Sequence, residues 1–539
     1  MTGTPAVRNQ AKKLGFLGLC VLIIAAFAAL AMLNLREPWS DEAMLAFNFV
    51  GQDAPVLQPL PFYEQAAPIG YVLLVRSATA GLDALAAFEA MRVLSLGAFC
   101  LGLMALSTSF VPRRNWVAAA LFFGVVFANP WFWQYAVEIK HYSFEFLATS
   151  LIVLSGRKLA LSRRPGAAVL YLVICAVAPV FAFTSPLVVV ATGLAILTYR
   201  LVIRRGPVAE EGFESDLRRV VLVTGLAVIV AAAFHVLINR GLVQYQLAAY
   251  QPFYSSGLVD PGGSMTENIK ILTRLPEYLL QPLGQEQIRL WMVGTFADGF
   301  ALYAAIALGS FAVLLLILLL SFRSAPFVGL VTVIVLVLAG VLNILGMLAF
   351  SAYRHFFFLS PLVLLLAAFA GERVVGWIAR RLPSDRQRMV GLAGLVALVV
   401  VASVGAWNAV HRRSPELLPV IDEITAADLS APVWLYPSLQ PMTLMVAPAD
   451  WELLGVLDNR SGEVAWTDRH LLAAAEPSEP QPKFLPLIDQ VADHTGPVWL
   501  IFPIVPGLDM EAYVARVQDG ERHCTLRLET NGTQLFFCQ

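Results

Sequence analysis

Apolar runs long enough to cross a bilayer recur through most of this chain, and no other feature narrows its fold so far. In hydrocarbon every backbone N–H and C=O must find a partner within the structure, so runs of this length are read as helices. They lie near residues 14–34, 90–110, 115–131, 144–156, 167–183, 185–203, 219–238, 299–322, 326–350, 356–371 and 389–408, about eleven in all. Composition agrees. The 539 residues are 58% hydrophobic and 14% charged, with a mean hydropathy of +0.70, against roughly 25% charged residues in an ordinary soluble domain. A net charge of −1 offers no footprint for nucleic acid. The expectation is an α-helical polytopic membrane protein.

Charge then orients the runs. Arg8, Lys12 and Lys13 precede the first; Arg113 and Arg114, Arg157, Lys158, Arg163 and Arg164 follow. Arg204, Arg205, Arg218 and Arg219, then Arg323, then Arg373, Arg380, Arg381, Arg386 and Arg388 complete the set, which occupies every second connection. Basic connections stay in the cytoplasm. The expected location is therefore the cytoplasmic (inner) membrane, N-terminus inside and the last stretch outside. The first run is followed by acidic and bulky residues rather than a small-residue cleavage site, so it reads as a retained helix. Residues 1–410 form the expected transmembrane module, with long outer loops at 35–89, 131–143 and 239–298. Cytoplasmic connections are short and hold no nucleotide-binding loop, which leaves the outer face for any chemistry.

Residues 411–539 change character. Val433-Trp-Leu-Tyr436 and Val498-Trp-Leu-Ile-Phe502 read as buried strands, and two further strands flank Asn531-Gly532, a hairpin signal. A small extracytoplasmic α/β domain is expected. Of the five cysteines, Cys20, Cys100 and Cys175 lie in apolar runs and behave as small hydrophobes. Cys524 and Cys538 lie in the hairpin and are disulfide candidates in an oxidising compartment. A two-residue loop would put them on opposite faces; a three-residue loop, Thr530-Asn531-Gly532, would set them opposite each other. Asn531-Gly-Thr533 also matches a glycosylation sequon, which the turn explains.

Three stretches carry candidate chemistry. The first outer loop opens on Arg36-Glu-Pro-Trp-Ser-Asp-Glu42, two adjacent carboxylates and a Trp where hydrocarbon gives way to water. An ionisable group drawn toward the bilayer centre costs on the order of 2.5–3.5 kcal/mol, so such groups pair or do chemistry. The structural alternative is a helix cap with an interfacial aromatic anchor. The same loop holds Ile69-Gly-Tyr-Val-Leu-Leu-Val-Arg76, too short to span and suited to the interface. In the second outer loop, helical spacing across Glu138-Ile-Lys-His-Tyr-Ser-Phe-Glu145 puts Glu138, Tyr142 (or His141) and Glu145 on one face, Lys140 to the side. A Lys, a His and a Tyr beside a membrane form a pocket for a lipid phosphate: a point charge, a second donor and a hydroxyl. The structural alternative is a snorkelling Lys beside salt-bridged glutamates, and the nearby Trp131, Trp133 and Tyr135 read as an interfacial belt or a sugar-stacking platform. Third, Arg354-His355 sits between two runs, as a boundary pair or a second phosphate contact.

Other chemistries lack their signatures. The seven histidines do not fall at metal-ligand spacing, so no metal site is expected. There is no Gly-x-Ser-x-Gly elbow. Ionisable residues are rare toward the middles of the runs, with His235 near an end, which speaks against an ion-coupled transporter.

Taken together, the pattern resembles the membrane glycosyltransferases of the GT-C fold, in the bacterial branch similar to protein O-mannosyltransferases and lipid A aminoarabinose transferases. The resemblance rests on Trp39-Ser-Asp-Glu42, Ala67-Pro-Ile-Gly-Tyr-Val-Leu-Leu74, Glu138-Ile-Lys-His-Tyr-Ser143 and Tyr353-Arg-His-Phe-Phe-Phe-Leu-Ser-Pro361. It covers nearly all of the membrane region and, weakly, the C-terminal domain. The single Pro68, where many relatives show two prolines, is a departure that bears on the donor pocket. The resemblance implies transfer of a sugar from a polyprenyl-phosphate donor to a hydroxyl on a lipid, polysaccharide or protein acceptor, among membrane lipids and without nucleic acid. By that analogy Asp41 is the general base, Glu42 orients the acceptor, and Lys140, His141, Tyr142 and Arg354 meet the leaving phosphate, with Glu138 supporting Lys140. No cofactor is expected, although one branch of the family uses a divalent cation that Asp41 and Glu42 could hold. Two other classes stand beside this reading. A lipid-linked glycan polymerase or ligase needs a longer groove, which 239–298 could line. A glycolipid transporter or flippase would show inverted repeats, which are not evident.

Overall fold

The computed structural model describes residues 5–33, 40–50, 65–112, 115–203, 213–249, 257–260, 262–283, 300–350, 353–381, 416–427, 433–435, 464–466, 471–473, 496–504, 510–518, 522–530 and 533–539, with isolated positions between them. It is mostly helical. The chain divides into two compact units: Met1–Asn34, Ala67–Val72 and Val93–Val410 form the first, and Leu35–Ala66, Leu73–Arg92 and His411–Gln539 the second.

The helices begin with α1 (Pro5–Leu33), α2 (Ser40–Ala46), α3 (Ile69–Thr79), α4 (Ala84–Ser107), α5 (Trp116–Ala128), α6 (Pro130–Val137), α7 (Tyr142–Leu161), α8 (Pro165–Phe181), α9 (Ser185–Thr198) and α10 (Phe213–Phe234). A π-helical turn, His235–Asn239, joins α10 to α11 (Arg240–Ala249). Then come α12 (Met265–Leu280), α13 (Phe300–Ser321), α14 (Pro326–Ile344), a 3-10 turn (Tyr353–Leu359) and α15 (Ser360–Ala379).

Among the described residues six helices are long and apolar enough to cross a membrane, Asn9–Leu33, Ala84–Ser107, Ser185–Val202, Asp216–Ala248, Pro326–Ile344 and Arg354–Ala379. A seventh arises if α5 and α6, bent by 74°, count as one span. This is a multi-pass membrane chain. The difference from about eleven runs has local causes. Residues 115–131 are interrupted where Pro130 cannot donate to the helix before it. The run at 144–156 belongs to a 20-residue helix that carries Glu145 in its first turn and Lys158 in its last. Residues 165–181 are apolar but short, and of the 22-residue α13 only 308–321 have described side chains. The run at 389–408 lies almost entirely outside the described residues.

Within the first unit α7 is central. It packs on α8 and α9, while α9 also meets α10 and α14, and α15 packs on α5 and α13. Close approach of α7 to α9 depends on Gly156: a Cβ there would lie 2.3 Å from Thr192 Cγ2. Small residues drive such contacts in lipid, where apolar burial alone gives no advantage. At the end of α9 that leads into a basic connection, buried Arg200 donates to Asp216 Oδ2 at 2.8 Å and to the carbonyls of Leu159 and Ser162 at 2.9 Å each. Arg219 reaches Asp216 Oδ1 at 2.5 Å. One carboxylate and two arginines thus tie together the ends of α7, α9 and α10. The third long loop of the sequence, 239–298, holds α11 and α12; the latter buries Ile271, Leu275, Leu279 and Leu280.

The second unit ends in a four-stranded sheet ordered β1-β4-β6-β5, from β1 (Val433–Leu435), β4 (Val498–Pro503), β5 (Cys524–Glu529) and β6 (Thr533–Cys538). A separate antiparallel pair is formed by β2 (Val464–Trp466) and β3 (Leu471–Ala473). β1 runs parallel to β4 and the other neighbours are antiparallel. β4 is buried throughout, as its unbroken apolar sequence requires. Helices Leu418–Ala426 and Met510–Val517 belong to the same unit, and the first meets β6. Cys524 and Cys538 are register partners, their Cα atoms 3.9 Å apart, joined as a disulfide. The route to that pairing differs from the three-residue loop of the sequence reading. The turn closes with Thr530 N–H donating to the Thr533 carbonyl at 2.9 Å, which is the two-residue arrangement. A bulge between Leu526 and Leu528 then shifts the register by one and brings the cysteines opposite each other.

Candidate functional site

Helix α6 runs from a break after α5 at Asn129 to a four-residue link, 138–141, that leads into α7 at Tyr142. Asn129 caps α6: its side chain accepts the Trp131 N–H at 2.9 Å and its amide donates to the Gln281 carbonyl at 2.7 Å. Pro130 then occupies the first helical position, where a missing N–H costs nothing. α6 lasts eight residues. Trp133 donates to the Phe127 carbonyl at 2.9 Å and stacks on Phe27, and Trp131 lies parallel to Tyr135 at 5.5 Å.

Glu138 stops the helix by turning extended, φ −64° and ψ 134°. The Lys140 N–H returns to the Glu138 carbonyl at 2.7 Å, and the His141 carbonyl accepts the N–H groups of Phe144 and Glu145 at 3.0 Å each, which starts α7. The shared helical face expected for Glu138, Tyr142 and Glu145 therefore does not form, because Glu138 lies outside the helix. A tight link carries Glu138, Lys140, His141 and Tyr142 one after another instead. Glu138 is 2% exposed and Lys140 5%. Gln134 donates to Glu138 Oε2 at 3.4 Å.

Aromatic rings surround this link. Tyr71, from the first turn of α3, meets the His141 imidazole at 6.2 Å and Phe144 at 5.5 Å, edge to face. Phe183 meets the same imidazole at 5.3 Å. Tyr142 stands edge-on to Tyr135 at 5.6 Å, and Tyr135 touches Phe357 at 4.9 Å. Phe357 belongs to the 3-10 turn that carries Arg354 and His355. Those two are half-buried, and Phe356, Phe357 and Phe358 after them are buried. Phe356 stacks on Tyr278 of α12 at 5.6 Å. The run of three phenylalanines thus holds the Arg354 turn against α7, with Phe357 on Tyr135 just ahead of the link. Tyr71 is a member of this cluster that sequence reasoning passed over, although its segment had been singled out.

In the second unit α2 starts at Ser40, as the capping alternative expects, and Asp41 and Glu42 lie in its first turn. The Asp41 side chain and residues 36–39 lie outside the described residues. Glu42 is buried and accepts Arg92 Nη2 at 3.3 Å, with side-chain exposures of 7% for the arginine and 6% for the glutamate. Arg92 was not singled out from the sequence, and no local pattern links it to a residue fifty positions away. Burial of both partners makes this pair a fixed element, since a lone buried charge would be far more costly. Among the described residues no three His, Cys, Asp or Glu side chains gather as a cation site.

No protein-family model matches the chain, and no curated protein matches it. Among solved structures, two of ArnT from Cupriavidus metallidurans match, one in the apo state and one bound to undecaprenyl phosphate. Each is 12% identical in sequence, with 96% of this chain and 98% of that chain covered and a TM-score of 0.47. Likeness at this level carries no argument about what the chain does.

Proposed function

We propose that this chain is a GT-C-type membrane glycosyltransferase that moves a sugar from a polyprenyl-phosphate carrier to a hydroxyl acceptor on the outer face of the membrane. The observation that carries the reading is Lys140, an ammonium 5% exposed in a two-helix junction lined by aromatic rings. An ammonium fixed in such a junction can meet a phosphate in a short, charge-assisted hydrogen bond. His141 and Tyr142 follow it on the same link, and Arg354 opens the turn that packs on the same helix.

In the reaction Asp41 takes the proton of the acceptor hydroxyl, and the freed oxygen attacks the anomeric carbon. The bond from that carbon to the phosphate oxygen breaks, and its electron pair leaves with the polyprenyl phosphate. Direct attack inverts the anomeric centre. Negative charge grows on the departing phosphate, so Lys140, His141, Tyr142 and Arg354 favour the transition state more than the ground state. Glu42, held by Arg92, orients the acceptor, and Glu138 steadies Lys140. The N-terminus lies inside and residues 411–539 outside, where a lipid, polysaccharide or protein would supply the hydroxyl.

Binding of labelled polyprenyl phosphate to the purified protein in detergent tests the reading. The parent and the Lys140→Arg variant are expected to bind, and Lys140→Met to bind about tenfold more weakly or worse, as expected when a charge-assisted contact is lost. Excess inorganic phosphate should compete poorly, because it lacks the lipid. Equal binding by Lys140→Met and the parent would remove the phosphate site from this link.

A further inference from the structure

Glu145 stands in the first turn of α7, and nothing in the reaction above uses it. Its carboxylate reaches the turn between α8 and α9. Oε1 accepts the Phe183 N–H at 2.6 Å, the two oxygens accept the Thr184 N–H at 3.3 and 3.2 Å, and Oε2 accepts the Thr184 hydroxyl. Thr184 is the residue at the mouth of α9, whose N–H a helix start leaves without a partner, and Phe183 is the turn residue just before it. Thr184 immediately precedes α9 and makes no side-chain cap of its own. A glutamate from another helix supplies the cap instead, at 4% exposure. Hydrogen bonds to a buried carboxylate are strong, and losing them is costly.

The turn that Glu145 holds bears on the candidate site. Phe183 presents its ring to the His141 imidazole at 5.3 Å, and Phe181 stacks on Phe144 at 5.9 Å. Phe181 also lies so close to Gly70 that a Cβ there would come within 2.7 Å of its ring. Tyr71, the residue after Gly70, meets the same imidazole. One short turn therefore supports His141 directly through Phe183, and supports the first turn of α3 through Phe181. We infer that Glu145 is a positioning residue: by fixing the Phe181–Thr184 turn it fixes the aromatic surround of His141, and so the link that offers Lys140 and His141 to a lipid phosphate. This inference rests on the phosphate-binding role proposed above. The competing account is a plain helix cap, which would contribute stability and leave His141 untouched.

Two readouts on Glu145→Ala, Glu145→Gln and Phe183→Leu decide between them. The first is carbethoxylation of His141 by diethyl pyrocarbonate, quantified on its peptide by mass spectrometry, which requires no activity. The second is sugar transfer from polyprenyl-phosphate sugars, resolved into KM for the donor and kcat. Glu145→Ala and Phe183→Leu should each raise His141 labelling severalfold and raise the donor KM by about tenfold, with kcat within about twofold of the parent. Glu145→Gln should stay near the parent, because its amide oxygen still accepts the backbone N–H groups. If Glu145→Ala melts earlier while labelling and donor KM stay at parent values, the residue is only a cap and the inference falls. If Glu145→Ala does not fold, Phe183→Leu leaves the cap intact and decides alone; unchanged labelling and KM would again overturn it. Labelling that shifts as expected in a protein whose parent form transfers nothing would uphold the positioning of His141 and reject the glycosyltransferase reading.

Discussion

Lys140 and Glu42 are both buried, and burial changes what a single substitution reports. Replacing Arg92 with Met takes a cationic partner from the buried Glu42 and should destabilise the protein by roughly 3–5 kcal/mol, whereas the double variant Glu42→Gln with Arg92→Met should recover much of that loss. Thermal unfolding of the purified protein measures both. If the double variant unfolds no later than Arg92→Met alone, the pair at 3.3 Å contributes nothing specific. How far the sequence disclosed these residues follows from distance along the chain. Glu138, Lys140, His141 and Tyr142 were legible because they are neighbours and ionisable beside an apolar run. Arg92 and the Glu145–Thr184 contact were not, because their partners lie fifty and thirty-nine positions away. Only folding joins them.

Among the elements, α3 shows how tight packing can serve a site. The Gly70 position is 2.7 Å from Phe181 and 2.8 Å from Val180 when given a Cβ, so Gly70→Ala must displace both side chains or shift α3 itself. Overpacking of this kind costs about 1–3 kcal/mol, and the shift should move Tyr71 away from His141. The expected readout is weaker polyprenyl-phosphate binding with the protein still folded, and binding equal to the parent would refute it. In the C-terminal sheet the disulfide closes a segment with a sequence separation of 14. Replacing Cys524 and Cys538 with Ala should cost about 2–4 kcal/mol and appear as faster amide exchange in β5 and β6. Strands and hairpin were legible there from apolar runs around Asn531-Gly532. The bulge between Leu526 and Leu528 was not, since nothing in Thr525-Leu-Arg-Leu528 marks an extra residue. The break at Asn129-Pro130 was visible in the letters, but hydropathy averaged over a window passes straight across it.

At the scale of the whole molecule, the alternation of basic connections argues for a cytoplasmic N-terminus and an external C-terminus. A fluorescent protein at the N-terminus should mature, and alkaline phosphatase after Gln539 should be active; the reverse pattern would invert the topology. The account as a whole stands on catalysis, however. Parent protein, Asp41→Asn and Lys140→Met, matched for amount in proteoliposomes, would be offered labelled polyprenyl-phosphate sugars with cell-envelope acceptors. The parent should transfer label with release of polyprenyl phosphate, and each variant should lose about a hundredfold or more, as expected when a general base or a group stabilising the leaving phosphate is removed. Transfer by both variants at the parent rate would contradict the account: the Asp-Glu pair would then be a helix cap, Lys140 a structural cation, and the chemistry would belong elsewhere in the chain.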